Sequence, residues 1–339
     1  MKLLPLTTCV RLARRYREFR RGERGPIFVS WFLTRECPIR CAGCVFFSRH
    51  PTPPEDLPLA DKLRILADLE SLGVPFLFIA GGEPCVAPDL PEVLREARRR
   101  GLYTILVTSG LVMTPELARA IDETARGVIF SIDGIEPEHD RIRGEGNYQR
   151  AMEGMRCFLG VRKRARVYVS CVIGRRNHVD LTRFALDMRA MGVDRVNFQS
   201  NCIPQLKPEV GVVPSLMAEL DRLSTEWADL FVTDSKYLDK LRTYFTRPTN
   251  LEFCGVPTLG HLAVLPDGTV SACCEFHLPI GSAVREGLPA VVTRARTLGF
   301  EEVKRCKGCC RKDYDLVERF FETPMRGWSL GDLRTIQSL

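Results

Sequence analysis

The feature that most constrains the fold of this chain is a regular alternation of two kinds of segment between residues 26 and 200. Short apolar stretches rich in β-branched and aromatic residues predict strands, whereas stretches with helical periodicity predict helices. The strands are predicted at 26–33, 75–80, 103–109, 127–132, 166–173 and 194–200. The helices between them are predicted at 59–73, 90–101, 115–125, 148–161 and 179–192.

Strands that alternate with helices in this way are expected to be parallel and joined by right-handed crossovers. Six units are too few to close an eight-stranded barrel, so the predicted fold is α/β, a partial (β/α)6 TIM-like barrel. Its site is expected at the C-terminal ends of the strands. The predicted organisation is a basic arm at 1–25, the barrel at 26–204, a helical linker at 205–250 and a small C-terminal domain at 251–339.

Composition narrows the class of protein. No apolar run among the 339 residues approaches the roughly 20 residues of a membrane span, and the N-terminal apolar stretch is too short for a secretory signal. A cytoplasmic location is therefore expected. The net charge of +7 is concentrated in residues 1–26, which carry eight Lys/Arg and two Glu. Because this charge belongs to an arm, no nucleic-acid partner is expected.

The basic arm has a helical pattern of its own. Leu12, Tyr16 and Phe19 share one face, and arginines cover the other. Such a helix could make a peripheral membrane contact or bind an acidic partner. Alternatively, it could pack its apolar stripe on the barrel and leave the arginines in water.

Three cysteines follow the first predicted strand directly. Cys37, Cys41 and Cys44 have the spacing Cys-x3-Cys-x2-Cys, in a chain with fourteen cysteines. In a reducing compartment, clustered cysteines indicate metal binding rather than disulfides. Three thiolates can hold three irons of a [4Fe–4S] cluster and leave the fourth iron open to a ligand. A three-cysteine zinc site is the alternative interpretation.

This loop, its position after the first strand and the six βα units resemble the radical S-adenosylmethionine (SAM) superfamily. The resemblance implies that SAM occupies the open iron of the cluster. It also implies that an external one-electron donor, such as flavodoxin or ferredoxin, reduces the cluster. Cleavage of SAM then gives a 5′-deoxyadenosyl radical, which abstracts hydrogen from the substrate.

The resemblance also implies where SAM binds. The "GGEP" turn at 81–84 follows the second strand and matches the family turn that binds the amino group of SAM. "FSIDG" at 130–134 ends the fourth strand, near the ribose or the methionine moiety. For the polar residues at strand ends, capping or turn formation is the alternative. The predicted SAM-binding residues are Gly43, Phe46, Gly81, Gly82, Glu83, Pro84, Ser131, Asp133, Asn177 and Gln199.

One position departs from the family pattern. Many members have an aromatic residue just before the last cysteine, whereas this chain has Gly43. The contact to adenine is therefore expected from the backbone, including strand six around Gln199, or from a neighbour such as Phe46.

A second group of cysteines lies near the C-terminus. "LPDGTVSACC" predicts a turn, a strand and then a ligand, and "RCKGCC" holds a Cys-x2-Cys pair. The segment resembles the one-cluster (twitch) form of the SPASM extensions of radical SAM enzymes, which implies a second, auxiliary [4Fe–4S] cluster. Structural zinc and a three-thiolate cluster are alternatives. The predicted ligands are Cys254, Cys273, Cys306 and Cys309, with Cys274 or Cys310 as substitutes.

The expected function is hydrogen abstraction from a small biosynthetic metabolite, followed by oxidation or rearrangement assisted by the auxiliary cluster. Candidate proton acceptors are His178, Arg175 and Lys207, whereas Glu83 is expected to be committed to its turn. One alternative is radical carbon–carbon bond formation on a lipid or isoprenoid, because hopanoid-type relatives have a similar basic start and a similar "AGGEP". Peptide modification is another, although the chain has no evident room for a leader-binding domain. A non-catalytic iron–sulfur or zinc module is the last.

Overall fold

The computed structural model describes residues 4–49, 55–200, 206–232, 235–246, 256–273 and 278–298. Six parallel strands occur in the predicted order, and their bounds lie within two residues of the prediction. They are β1 (Phe28–Phe32), β2 (Phe76–Ala80), β3 (Tyr103–Thr108), β4 (Gly127–Ser131), β5 (Arg166–Ile173) and β6 (Arg195–Ser200). Each pairs in parallel with the next along the chain. The α/β fold with a partial TIM-like barrel is thereby confirmed.

Eleven α-helices are present in the described residues. The five predicted crossover helices are confirmed, and the segment predicted as a helical linker contains helices at Val213–Glu226 and Ser235–Thr246. The short helices at Val45–Arg49 and Glu136–Arg143 and the C-terminal helix at Leu288–Ala295 were not predicted. No described helix is long and apolar enough to cross a bilayer. The helices are α1 (Leu6–Arg20), α2 (Val45–Arg49), α3 (Leu59–Ser71), α4 (Leu90–Arg99), α5 (Pro115–Thr124), α6 (Glu136–Arg143), α7 (Asn147–Val161), α8 (Leu181–Met191), α9 (Val213–Glu226), α10 (Ser235–Thr246) and α11 (Leu288–Ala295).

The two faces of the sheet belong to different apolar clusters, because successive strand residues point to opposite sides. On one face, residues such as Trp31 and Ile79 pack with the crossover helices in one large core. On the other face, Phe28, Phe76 and Phe78 belong to a smaller cluster. Right-handed crossovers explain why the connecting helices share one face.

Helix α1 packs on the smaller cluster through Leu12, Tyr16 and Phe19. The packing alternative for the basic arm is therefore the one observed. Two of its arginines also make specific contacts. Arg11 donates to the carbonyls of Val74 (3.2 Å), Arg100 (2.8 Å) and Gly101 (2.9 Å), and Arg15, 3% exposed, donates to the Leu72 carbonyl. Most of these carbonyls lie at the C-terminal ends of α3 and α4, where cations are favoured.

Three further strands continue the same sheet beyond β1. They are β7 (His261–Val264), β8 (Thr269–Ser271) and β9 (Pro279–Ser282). β7 pairs in parallel with β1, and β8 and β9 follow as antiparallel neighbours. The predicted turn and strand at 266–271 are confirmed, since Thr269 N–H donates to Asp267 Oδ1 (2.9 Å) as β8 begins. The domain boundary at residue 251 stays a prediction, but strands of this region are part of the barrel sheet.

Candidate active site

A single cleft brings the cysteine loop together with the ends of four strands. Its volume is about 220 Å³, and Cys37, Cys41 and Cys44 lie along it. Much of the remaining lining comes from residues at or close to the ends of β2, β3, β4 and β5. The cleft therefore lies at the C-terminal edge of the parallel strands, as the barrel prediction requires. These lining residues include Ala80, Gly81, Gly82, Glu83, Thr108, Ser109, Ser131, Asp133, Val172 and Gly174.

The three cysteines of the loop are free thiols of intermediate burial. Burial raises the pKa of Cys37 to about 11. Burial also raises the pKa of Cys41, although the nearby Arg143 opposes this effect. A metal would therefore displace protons when it binds. No three Cys, His, Asp or Glu side chains within the described ranges converge on one metal ion. Three thiols on one loop are the donor set that a [4Fe–4S] cluster with one open iron position would take.

The glycines of the "GGEP" turn face the cysteine loop. Gly82 N–H donates to the Thr34 carbonyl (2.8 Å), and Glu83 N–H donates to the Glu36 carbonyl (2.7 Å). A Cβ on Gly82 would lie 2.7 Å from the Glu36 carbonyl carbon, and one on Gly81 would lie 2.7 Å from the Thr34 oxygen. From the sequence, these glycines were expected to let the backbone approach a ligand closely. In the structure, the neighbouring backbone at Thr34 and Glu36 already leaves no room for a side chain at either position.

Glu83 is 1% exposed, and its carboxylate accepts hydrogen bonds from its own turn and from the end of β3. Oε1 accepts from the Thr108 hydroxyl (2.7 Å) and Cys85 N–H (3.1 Å), and Oε2 accepts from Ser109 N–H (2.7 Å) and its hydroxyl. Glu83 was expected to be committed to its turn; its carboxylate is engaged, but three of its four donors belong to Thr108 and Ser109 at the end of β3. Thr108, the last residue of β3, and Ser109, which follows it, were not predicted to belong to the site.

A buried ion pair lies beside the cysteines. Arg143 Nε donates to Asp133 Oδ2 (2.7 Å), and Val172 N–H donates to Asp133 Oδ1 (2.8 Å). Arg143 Nη1 lies 3.9 Å from Cys41 Sγ. Burial alone would lower the pKa of Arg143, but Asp133 and Cys41 outweigh it and raise that pKa. Arg143 therefore carries a permanent positive charge against the cysteine loop.

Arg143 belongs to α6, which sequence periodicity missed because the helix has only eight residues. Its termini nevertheless carry signals: an early proline, acidic residues in the first turn, basic residues in the last, and Gly144 at φ 100°. Ala42 N–H donates to the Ile142 carbonyl (2.7 Å), which ties the end of α6 to the cysteine loop. His139 on this helix accepts a hydrogen bond at Nδ1 from Asp133 N–H (3.1 Å).

Asn177 lines the cleft, but its side chain is hydrogen-bonded to the backbone of the loop that carries it. Oδ1 accepts from Gly174 N–H (2.8 Å), and Nδ2 donates to the Val172 carbonyl (2.8 Å). Gln199 Nε2 donates to the Ser170 hydroxyl (3.0 Å). Within the part of the chain that the structure describes, Gln199 is not among the residues that line the cleft.

The aromatic residue after the cysteines that lines the cleft is Phe47, on α2. Phe46, 3% exposed, stacks on Phe32 with ring centroids 5.6 Å apart. Arg40 lies over the Phe47 ring, 3.9 Å from its centroid. Pro84 is buried at the start of a short 3-10 turn. Of the ten predicted SAM-binding residues, the described cleft includes Gly43, Gly81, Gly82, Glu83, Ser131, Asp133 and Asn177, and leaves out Phe46, Pro84 and Gln199.

Two further arginines stand at the cleft in the loop after β5. Arg175 Nε is 4.0 Å from Glu209 Oε1, and both side chains are more than half exposed. Arg176 donates to the Arg141 carbonyl (3.1 Å). Of the other proposed proton acceptors, Lys207 donates to the Tyr244 carbonyl (2.9 Å). His178 Nδ1 lies 3.3 Å from the Gly174 oxygen.

Cys273 is the one predicted auxiliary ligand within the described residues, and it is 8% exposed. β8 runs antiparallel to β7, which is itself parallel to β1. Cys273 follows β8, so it lies toward the N-terminal edge of the parallel strands, away from the cysteine loop. Cys254, Cys274, Cys306, Cys309 and Cys310 lie outside the described residues.

Residues 31–188 match the model of the family described as the Radical SAM superfamily, and the matched domain is just under half of the chain. The chain is 35% identical over 170 residues to Mycofactocin maturase MftC of Mycobacterium tuberculosis, covering 50% of this chain and 43% of that protein. It is 33% identical over 135 residues to AdoMet-dependent heme synthase of Methanosarcina barkeri, covering 38% of each. The matches therefore span less than half the length of these curated relatives.

Solved structures extend the similarity of fold beyond that domain. Streptococcus suis SuiB bound to S-adenosylmethionine superposes with a TM-score of 0.65 at 14% identity, covering 94% of this chain and 79% of that chain. anSMEcpe with bound AdoMet and Cp18Cys peptide gives a TM-score of 0.61 at 15% identity, covering 87% and 95%. At such identities the likeness concerns the fold alone.

Proposed function

We propose that this protein is a radical SAM enzyme with a [4Fe–4S] cluster on Cys37, Cys41 and Cys44. The observation that carries the proposal is the shared cleft, in which three thiols face the "GGEP" turn and the ends of β2 to β5. The match of residues 31–188 to the radical SAM family model supports it. An external one-electron donor, such as flavodoxin or ferredoxin, would reduce the cluster.

When bound, the reduced cluster and SAM supply a one-electron cleavage whose 5′-deoxyadenosyl product abstracts hydrogen from an unactivated carbon. The residues of this chain position the two groups. Gly81 and Gly82 hold the cysteine loop close to the end of β2 through the contacts with Thr34 and Glu36. Ser131 and Asp133, at the end of β4, line the cleft and would offer a hydroxyl and a carboxylate to SAM. Each Asp133 oxygen already accepts one hydrogen bond and has one lone pair left for a ligand.

The charge at the cleft favours an anionic substrate. Arg175 and Arg176 both line the cleft; Arg175 has only an exposed partner, Glu209 Oε1 at 4.0 Å, and Arg176 donates to the Arg141 carbonyl. A guanidinium in a cleft attracts carboxylate or phosphate groups and can bind them bidentately. A small metabolite that carries such groups fits better than a hydrocarbon lipid or isoprenoid. Hydrogen abstraction followed by oxidation or rearrangement therefore remains the favoured reaction.

Peptide modification is the second candidate. It is supported by the local 35% identity to Mycofactocin maturase MftC and by a 36% identity over 123 residues to PqqA peptide cyclase of Rhizobium meliloti. An acidic peptide would satisfy the same arginines. Turnover of carboxylate-bearing metabolites in parallel with acidic peptides decides between the two.

A second [4Fe–4S] cluster on Cys254, Cys273, Cys306 and Cys309 is part of the proposal, with Cys274 or Cys310 as substitutes. Cys273 is the member of this set within the described residues; it is buried and follows β8, which is hydrogen-bonded into the barrel sheet. A cluster there could accept the electron that an oxidation leaves behind.

Anaerobic reconstitution tests the cluster content. Two [4Fe–4S] sites should give about eight irons per chain. About four irons with one zinc would overturn the auxiliary cluster and leave the radical SAM site standing. If dithionite-reduced protein cleaves no SAM with any substrate tried, that result supports the alternative of a non-catalytic metal-binding module.

Product analysis tests the reaction type. Free 5′-deoxyadenosine in proportion to an oxidised or rearranged product supports hydrogen abstraction. An adenosylated adduct supports carbon–carbon bond formation.

A further inference from the structure

We propose that Arg143 and Asp133 together set the reduction potential of the cluster on Cys37, Cys41 and Cys44. The inference rests on the proposed function, because it needs that cluster to form. Arg143 Nη1 lies 3.9 Å from Cys41 Sγ, and Arg143 Nε is bonded to Asp133 Oδ2 at 2.7 Å. The guanidinium thus stands between a cluster ligand and a carboxylate.

The orientation of Arg143 is fixed from several sides. Asp133 is 2% exposed and is itself held by the N–H of Val172 (2.8 Å) and by its own N–H to His139 (3.1 Å). The end of α6 is tied to the cysteine loop through Ala42 N–H and the Ile142 carbonyl (2.7 Å). The guanidinium therefore does not have to move to face the Cys41 sulfur.

The surroundings make this charge effective. The Arg143 side chain is 16% exposed and that of Asp133 is 2% exposed, so water screens the pair poorly. Reduction adds an electron to the cluster, and a fixed cation beside a ligating sulfur stabilises the reduced form. Hydrogen bonds to cluster sulfurs and the local net charge are known determinants of such potentials. Asp133 carries the opposite charge on the far side of Arg143 and limits the effect.

Two opposite shifts follow from this arrangement. Arg143→Gln removes the cation and leaves Asp133 unpaired, so the midpoint potential should move to a more negative value. Arg143→Lys keeps the charge but loses the planar fork, so its shift should be smaller and of the same sign. Asp133→Asn removes the counter-charge and should move the midpoint to a more positive value. A purely structural role for the pair would not produce shifts of opposite sign.

The matched control is Arg141→Gln. Arg141 lies on the same helix, is 58% exposed and pairs with Glu138 (2.9 Å), so its loss changes the net charge equally. Water screens it, and its midpoint should equal that of the wild type.

The measurement is an anaerobic redox titration of the reconstituted full-length protein, followed by electron paramagnetic resonance of the reduced cluster without SAM. Leaving SAM out separates this role from any contact between Arg143 and the cofactor. A Cys37→Ala/Cys41→Ala/Cys44→Ala variant supplies the signal of any second cluster for subtraction.

Each result decides something. Opposite shifts in Arg143→Gln and Asp133→Asn, with no shift in Arg141→Gln, establish the inference. Equal midpoints in variants with full iron content, or shifts of the same sign, overturn it while the proposed function stands. If Arg143→Gln loads no iron, Arg143→Lys and Asp133→Asn still decide, since their shifts must differ in sign. A wild-type protein that assembles no cluster refutes the proposed function itself.

Discussion

Arginines gather at both ends of the parallel strands, and the two ends use them differently. At the N-terminal end, Arg11 and Arg15 of α1 reach backbone carbonyls where α3 and α4 terminate. At the C-terminal end, Arg143 and Arg175 line the cleft of the cysteines. The first pair satisfies helix ends and stabilises the fold, whereas the second pair places positive charge where a ligand can bind. The basic composition of a segment therefore does not identify its partner; the groups opposite each guanidinium do.

The largest expected effect is at the C-terminal ends of the parallel strands, where the cysteine loop lies. Replacing Cys37, Cys41 or Cys44 by Ala removes one thiolate of three, and SAM cleavage should fall to background, as measured by 5′-deoxyadenosine release under dithionite. Cys9→Ala on α1, at the other end, is the control because Cys9 is exposed, and it should cleave SAM as the wild type does. Retained cleavage in any of the three loop variants would contradict the cluster assignment.

Gly82→Ala should separate the cysteine loop from the "GGEP" turn. The new Cβ would lie 2.7 Å from the Glu36 carbonyl carbon and 2.8 Å from the Arg35 oxygen, so the loop must move. Overpacking of this kind costs about 1–3 kcal/mol of the free energy of unfolding. We also expect iron content to fall severalfold on reconstitution.

Gly160→Ala provides the matched control for this substitution. Its Cβ would meet nothing within 4 Å, and Gly160 lies in α7, where Ala should be neutral or stabilising by up to about 1 kcal/mol. Equal iron content in the two variants would mean that the close approach at Gly82 is not required.

His139, near the C-terminal ends of the parallel strands, should make the unfolding free energy depend on pH. Burial, followed by the nearby Arg143, lowers its pKa to about 4. The neutral form is thus favoured in the folded protein, and its stabilising effect is complete above the ordinary pKa of about 6.5 and lost as the pH falls towards 4. The contribution lost over this range is at most roughly 3 kcal/mol.

His139→Asn tests this dependence because Asn can still accept the Asp133 N–H but does not titrate. Between pH 6.5 and pH 4, the unfolding free energy of the wild type should fall more than that of the variant, as followed by denaturant titration. A constant difference would show that the pKa of His139 is not depressed.

The smallest of these effects is expected at the N-terminal ends of the parallel strands, where α1 packs. Arg11→Gln removes a cation that donates to three carbonyls, which should cost about 2 kcal/mol of unfolding free energy. Arg17→Gln on the exposed face should cost less than about 0.5 kcal/mol. Both variants should load iron and cleave SAM normally. A loss of cleavage in Arg11→Gln would mean that the two ends are not independent.

The repeating pattern explains how much of the fold was predictable. Each βα unit buries a continuous apolar strand against an amphipathic helix, so both periodicities are legible in the sequence. β7 was not predicted because its four residues pair with β1, over 200 positions earlier in the chain. No local sequence pattern specifies that partner. The bounds of α6 were signalled by its termini, but eight residues give too little periodicity.

The site was predictable where spacing carries the chemistry, as it does for Cys37, Cys41 and Cys44. The site was not predictable where it depends on the direction in which a side chain points. Phe46 and Phe47 are neighbours on α2, and only the structure shows that Phe47 faces the cleft. Arg143 escaped for a similar reason, because its closeness to Cys41 depends on how α6 sits against the cysteine loop.

The pairing of β7 with β1 has a consequence for synthesis of the chain. The Ser30 hydroxyl and His261 Nε2 lie 2.8 Å apart, although 231 positions separate them in the chain. Contacts of such sequence separation form late and slow folding. On the ribosome, β1 therefore has an open edge until residues beyond 264 emerge, and an open strand edge invites mispairing. We expect limited proteolysis of stalled nascent chains to cut near β1 at lengths below this point and to spare it above.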